Sequence, residues 1–188
     1  MTDFDLKRAL RGQMRALRIE LARNNPLAGV QAVNRLPGIH GMKVAGYRRL
    51  GSEMDPDPLM YALAKRGADL ALPVCLAPTE PLVFRSWMSG DVLVPDLLGV
   101  AGPKATAVEV RPDLVIVPLL AFDRTGGRLG QGGGHYDRTL EQLRAEGPLF
   151  ALGLAYAGQE VHKVPAEPHD QKLDAILTET GYIEVKKP

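Results

Sequence analysis

Residues 122–138 read FDRTGGRLGQGGGHYDR, with LVIVPLLAF before them at 114–122 and HYDRTLEQLRAE running on through 135–146. The leading run is apolar and strand-like. The trailing run carries Tyr136, Leu140 and Leu143 at helical spacing. Between them stand six glycines: Gly126, Gly127, Gly130, Gly132, Gly133 and Gly134. Strand, glycine loop, helix is the layout of a phosphate cradle. Glycine tolerates positive φ and lets a ligand approach the backbone closely. Successive N–H groups and a helix N-terminus then favour an anion. Arg128 brings a planar donor fork into the loop, and Asp137 brings a carboxylate able to hold Mg²⁺.

Two common nucleotide patterns are absent. There is no G-x-x-x-x-G-K-[ST], and a G-x-G-x-x-G starting at Gly130 would need glycine where His135 stands. A plain glycine-rich connection is the alternative. Ordering glycine is costly, so this many beside an arginine and an aspartate favour a ligand loop over a mere turn.

The organisation around this segment is that of an α/β protein. Residues 3–22 read as an amphipathic helix, with Leu6, Leu10, Met14, Leu17 and Leu21 on one face. Lys7, Arg11, Arg15 and Arg18 repeat that spacing one residue later, as a basic stripe beside the buried seam. For Arg15 and Arg18 a solvated flank is the expectation. Residues 26–37 suggest a second short helix and 42–47 a strand, followed by a loop and a helix with Pro58 near its first turn. Further strands are expected at 69–73, 82–87, 114–118, 150–156 and 174–179, with strands or a hairpin after 90 and a Gly/Pro/Ala-rich loop over 99–112. Strands alternating with helices indicate a mostly parallel sheet. The continuous apolar runs fit strands covered on both faces. In such sheets ligands bind at the carboxyl ends of strands. Glu53 follows the 42–47 strand and the glycine loop follows the 114–118 strand, whereas Asp174 falls at the start of its strand.

A chain of 188 residues with 45% hydrophobic content fits one domain over 1–188 with a sizeable core. Its 23 basic and 22 acidic residues argue against a dedicated nucleic-acid binder or a membrane-surface protein. The single cysteine, Cys75, excludes an internal disulfide framework and a cysteine-based zinc site. Its setting, LALPVCLA, reads as a buried small hydrophobe. No 18-residue apolar run and no signal peptide are present, so a soluble cytoplasmic protein is expected. Monomer and homodimer both remain open.

The glycine segment resembles the signature of the 5-formyltetrahydrofolate cyclo-ligase (methenyltetrahydrofolate synthetase) family, approximately G/A-F-D-x-x-G-x-R-L-G-x-G-x-G-Y-Y-D. It stands here as Ala121, Phe122, Asp123, Gly126 or Gly127, Arg128, Leu129, Gly130, Gly132, Gly134, His135, Tyr136 and Asp137. KRALR (7–11) is similar to the family's K-x-x-L-R, and YRRLGSE with Glu53 to its Y-x-x-x-x-x-E. ALGLAYAGQ (151–159) and HDQKLDAILTE (169–179) are similar to its I-G-L-A-x-x-x-Q and H-D-x-x-V-D-x-I-x-T-E. The family's fold resembles the doubly wound sheet of sugar-phosphate isomerases and CoA transferases.

The resemblance implies ATP- and Mg²⁺-dependent closure of 5-formyltetrahydrofolate to 5,10-methenyltetrahydrofolate. It implies ATP contacts from Lys7, Arg11, Arg128, Leu129, Gly130, Gln131, Gly132, Gly133, Gly134, His135 and Tyr136, with Arg128 and Tyr136 as catalytic groups. Glu53 would accept hydrogen bonds from the pterin, and residues 131–135 would serve the folate as well. Asp137 and Asp174 would be the Mg²⁺ ligands. Tyr47 and Arg48 fit either the same pterin pocket or ordinary packing. Asp123 reads as a cap on the DRTGG turn, and Phe84 and Trp87 as core. His162, His169 and Asp170 match no zinc spacing; His169 and Asp170 would position the loop presenting Asp174. His135, Gly133 and Gln131 depart from common family residues, which implies a more mobile loop and a less walled folate pocket. The alternatives are a divergent enzyme acting on another formamide or pterin, a catalytically silent folate- or nucleotide-binding protein, and a sugar-phosphate-binding domain. The retained carboxylates argue against the silent protein, and Glu53 with Lys7 and Arg11 against the last.

Overall fold

A computed structural model describes residues 3–38 and 42–186. The chain enters as helix α1 (Asp3–Asn24), then a short α2 (Ala28–Val33), strand β1 (Lys43–Ala45), helix α3 (Asp57–Lys65) and strand β2 (Asp69–Val74). β3 (Val83–Ser86), β4 (Leu93–Pro95) and β5 (Ala101–Pro103) follow, then the central β6 (Leu114–Pro118). β7 (Ala121–Phe122) and β8 (Arg128–Leu129) precede α4 (His135–Glu146), β9 (Phe150–Leu154), a 3₁₀ turn at Ala157–Gln159, β10 (Ala175–Leu177) and β11 (Tyr182–Glu184).

Seven strands form one sheet in the order β11-β10-β9-β6-β1-β2-β3. The five inner strands are parallel, and β3 and β11 close the two edges antiparallel. Alternation along β6 explains why both faces must be covered. Leu114 and Ile116 join Leu59, Met60 and Leu63 of α3 and Ala28 and Ala32 of α2 in one cluster. Val115 and Val117 join Leu140 and Leu143 of α4 in the other. The expected doubly wound, mostly parallel sheet is what the chain forms.

From β1 the chain winds outward to β2, and from β6 it winds the opposite way to β9 and β10. The loops leaving the carboxyl ends of β1 and β6 therefore diverge, and a crevice opens between them. α1 packs over that end of the sheet. Its Leu10, Met14 and Leu17 meet Leu120, Ala121, Leu129 and Val164.

Several local expectations need correction. The 99–112 stretch is not all loop, because Ala101–Pro103 pairs antiparallel with β4. The second helix stops at Val33, short of residue 37. The glycine segment is not one loop. Ala121–Phe122 pairs with Arg128–Leu129, so Gly126 and Gly127 lie in a hairpin turn and only Gly130 to Gly134 lead into α4. Asp123 caps that turn as expected, accepting from the Thr125, Gly127 and Val164 amides and the Thr125 hydroxyl. Gly126 has φ +83°, and a Cβ there would lie 2.6 Å from the Leu173 carbonyl. That position requires glycine for conformation and for space. Phe84, Trp87 and Cys75 are buried as expected.

Candidate active site

A cavity of about 410 Å³ occupies the crevice between the β1 and β6 loops, roofed by α1 and bounded by the start of α4. It is lined by Lys7, Arg11, Arg128 and residues 129–137 at one end, and by Glu53, Tyr47 and Arg48 at the other. Sequence reasoning had named all of these, and the fold brings them together.

The first end is rich in cations. Lys7, although a lysine, is 5% exposed. Its Nζ lies 2.6 Å from both Glu167 and Asp170. Burial works against its charge, but hydrogen bonds to Asp170 and Glu167 outweigh it and raise the pKa. The same contacts hold Asp170 below the usual carboxylate range, again against the effect of burial. Arg11 donates to the Gly130 carbonyl at 3.0 Å, and Arg15 donates to the Gln131 side chain and carbonyl. The glycine loop is thereby tied to α1. Gly134, with φ +68°, caps α4, whose positive N-terminal end faces this part of the cavity.

Arg128 is buried, and its Nη2 donates to Asp137 at 2.7 Å. Among the described residues its buried Nη1 has no hydrogen-bond partner. Burial pushes the guanidinium's pKa down, and Asp137 opposes that shift. Asp137 also accepts from the Gln171 amide at 2.9 Å, which fastens it to the 167–171 loop.

Asp174 does not join Asp137. It stands at the amino end of β10, the opposite end of the sheet from the cavity. Its carboxylate accepts from the Ala151 amide at 2.9 Å and from Arg144 at 3.1 Å, and it borders a separate cavity with Arg144 and Lys172. From the loop before β10 it is Glu167 and Asp170 that line the first cavity with Asp137. Ligand atoms of Glu167, His169 and Asp170 lie within 4.8 Å of one another. Asp170 therefore faces the site itself rather than merely positioning its neighbour, and the His169 ring is exposed.

At the other end Glu53 is buried and accepts from the Leu50 amide at 3.0 Å. Burial raises its pKa, opposed by that hydrogen bond and by the charges of Arg18 and Arg49. The Tyr47 hydroxyl donates to the Met54 carbonyl, so its polar end is used within the protein. Arg48 is paired with Asp57 at 2.9 Å. The Tyr136 hydroxyl is kept protonated, first by burial and then by the charge of Glu53, with Arg128 acting the other way. It thus senses both ends of the cavity.

Arg18 departs from the expectation of a solvated flank. It is 5% exposed and lines the cavity. The signal was available: an α-helix turns about 100° per residue, so eleven residues return Arg18 to within about 20° of Lys7. Arg15, eight residues on, is rotated by about 80°, and it is exposed. Glu167 carried no such signal. Gln159, within the ALGLAYAGQ motif, has a structural role. It is fully buried, and its amide donates to the Leu119 and Leu120 carbonyls while its oxygen accepts from the Tyr156 amide. It pins the chain just after β6. Gln159→Ala is expected to lower unfolding stability by about 1–3 kcal/mol, the cost of stripping buried polar groups. Urea denaturation with an unchanged m-value checks it.

A parallel sheet with cations and carboxylates converging on its switch point defines an α/β enzyme. Comparison with known proteins gives the particular kind. The chain belongs to the 5-formyltetrahydrofolate cyclo-ligase family, whose model matches residues 4–179. It is 36% identical over 160 residues to the 5-formyltetrahydrofolate cyclo-ligase of Escherichia coli K12, covering 80% of this chain and 87% of that protein. It is 32% identical over 148 residues to the enzyme of the same name from Mycolicibacterium smegmatis, covering 74% and 75%. The solved structure of Aquifex aeolicus 5,10-methenyltetrahydrofolate synthetase superposes with a TM-score of 0.79 at 25% identity, covering 97% of this chain and 94% of that one. Among the described residues no helix is long and apolar enough to cross a membrane.

Proposed function

We propose that this cavity closes 5-formyltetrahydrofolate to 5,10-methenyltetrahydrofolate, coupled to ATP cleavage and assisted by Mg²⁺. The observation that carries the reading is the buried Arg128 guanidinium, with Nη2 on Asp137 and Nη1 unpartnered among the described residues. An unpaired buried donor costs about 1–3 kcal/mol, and more on a charged group such as this one. A phosphoryl oxygen beside the glycine loop is the natural partner for it.

A formamide carbon is a poor electrophile, and oxide is a poor leaving group. Transfer of the γ-phosphoryl group removes both obstacles. The formyl oxygen bonds to phosphorus as the bond to ADP breaks. N10 then bonds to the formyl carbon and loses its proton, and the carbon–oxygen bond breaks as inorganic phosphate leaves. Such chemistry depends on in-line positioning and charge neutralisation. Lys7, Arg11, Arg128 and the amides of residues 129–136 would hold the nucleotide. Residues 131–135 lie where both substrates would meet. Glu53 would accept the paired N–H donors of the pterin, with Arg48 at the rim. Tyr136, kept protonated, supplies a neutral donor at the junction of the two halves.

For the metal we assign Asp137 and Asp170, in place of the Asp137 and Asp174 pair. Two carboxylates facing a phosphate-binding wall suit Mg²⁺, which takes one or two carboxylates together with phosphate oxygens and water. Bound there, it would neutralise charge on the transferring phosphate.

The test is the absorbance of methenyltetrahydrofolate formed from 5-formyltetrahydrofolate by the purified protein. Omission of either Mg²⁺ or ATP is expected to abolish turnover. Full turnover in excess chelator without nucleotide would overturn the mechanism. Folate binding without turnover under every nucleotide condition would identify a silent binding protein instead.

A further inference from the structure

We propose that Arg18 and Glu53 act together to read the pyrimidinone edge of the folate, with Arg18 donating to the 4-oxo group while Glu53 accepts from N3–H and the 2-amino group. The inference rests on the folate reading above and adds a specificity-determining residue to it.

Arg18 is held from two sides of the switch point. Its Nε donates to the Ser52 hydroxyl at 3.1 Å, in the loop after β1. Its Nη1 donates to the Leu119 carbonyl at 3.2 Å, just after β6. A cation this deeply placed is expensive to desolvate, and a neutral side chain would bridge the two loops as well. Its placement beside Glu53 needs a further reason.

The separation of the pair is informative. Arg18 Nη1 lies 3.6 Å from Glu53 Oε1. That is too long for a hydrogen bond, so the two groups stand side by side and do not engage as a fork on a carboxylate. Glu53 Oε2 accepts from the Leu50 amide, which leaves acceptor capacity on both carboxylate oxygens. A guanidinium carries five N–H donors, and two of its nitrogens account for the contacts to Ser52 and Leu119. The cavity lining therefore offers carboxylate acceptors beside a guanidinium donor. The edge of a reduced pterin presents the complement: a 2-amino donor, an N3–H donor and a 4-oxo acceptor.

Among the described residues no other cation at this end is equally placed. Arg48 is committed to Asp57. Arg49 is exposed and donates to the Gly51 carbonyl. The position of Arg18 along α1 also fits. Eleven residues separate it from Lys7, a rise of about 16 Å. One helix face thus carries a phosphate-binding end and a pterin-reading end.

The experiment is equilibrium titration of 5-formyltetrahydrofolate and of its 4-amino-4-deoxy counterpart into wild-type protein, Arg18→Met and Arg18→Lys, with a non-hydrolysable ATP analogue as a control ligand. The 4-amino compound replaces the acceptor at position 4 by a donor. It also lacks N3–H, so Glu53 contributes to wild-type discrimination as well. The share of Arg18 is the factor by which discrimination falls in the variants. In Arg18→Met the preference for the 4-oxo compound is expected to fall about ten- to hundredfold, the scale of one charge-assisted hydrogen bond. Binding of the ATP analogue should stay unchanged. Arg18→Lys keeps a charge beside Glu53 but loses the planar fork, so an intermediate ratio is expected. An unchanged ratio in Arg18→Met means that Arg18 only braces the loops, and it overturns the proposal. If Arg18→Met does not fold, an unchanged ratio in Arg18→Lys overturns it equally. Wild-type protein that binds neither folate overturns the folate reading and this inference with it. Wild-type protein that binds both equally overturns this inference alone.

Discussion

Replacing Arg128 with alanine is expected to lower turnover by about 10²–10³ while leaving folate affinity nearly unchanged; this is the scale for removing one preorganised donor from a site where charge develops. The side chain is 4% exposed and its partner Asp137 is 26% exposed. In a water-poor site of this kind a fixed cation interacts more strongly than it would in solvent. The negative charge it would meet is redistributed during phosphoryl transfer, so its contribution is larger in the transition state than in the bound ground state. Arg128→Lys should recover only part of the rate, because an ammonium cannot serve Asp137 and a phosphoryl oxygen through two arms of one plane. Single-turnover rates, with separate titrations of folate and of an ATP analogue, measure the split. Wild-type rate constants in Arg128→Ala would remove this residue from the site.

The second large effect separates two aspartates four residues apart. Asp170→Asn is expected to weaken Mg²⁺ binding at least about 10–100-fold, the range found even for groups one shell removed from a metal. Asp174→Asn should leave the metal requirement unchanged and lower stability by about 1–3 kcal/mol. The reason is position. Asp170 lines the cavity with Asp137, whereas Asp174 bonds Arg144 and the Ala151 amide at the far end of the sheet. Arg144 is 28% exposed, so solvent tempers the loss of that ion pair. Mn²⁺ binding to the nucleotide-free protein and Mg²⁺ titration of turnover give one readout, and urea denaturation gives the other. The reverse pattern would return Asp174 to the metal site.

Much of this architecture is legible in local sequence because local physics writes it there. The continuous apolar run LVIVP announces a strand covered on both faces, and β6 alternates its side chains between the two core clusters. The periodicity of residues 3–22 announces a helix, and Asp3–Asn24 is one. Glycines beside Arg128 and Asp137 announce a loop built for close approach. Each of these signals repeats within a few residues, since backbone geometry fixes where successive side chains point.

What the sequence could not decide are the meetings between distant segments. Lys7 and Asp170 are 163 positions apart and touch. Nothing in either local motif says so. The same holds for Asp170 and Asp174, which share one motif but reach opposite ends of a sheet. The loop carrying Asp170 lies at the carboxyl end of the sheet, whereas Asp174 stands just before β10 at its amino end. Helical phase alone puts Arg18 on the face of Lys7, but its burial depends on α1 lying over the switch point and not against the face of the sheet. The sequence by itself therefore determined most of the elements and their two buried faces. Only the tertiary structure decided which carboxylate stands beside Asp137 and which cation stands beside Glu53. Those choices follow from strand order and chain reversal, which are set by burying the whole core at once and not by the preferences of any one segment.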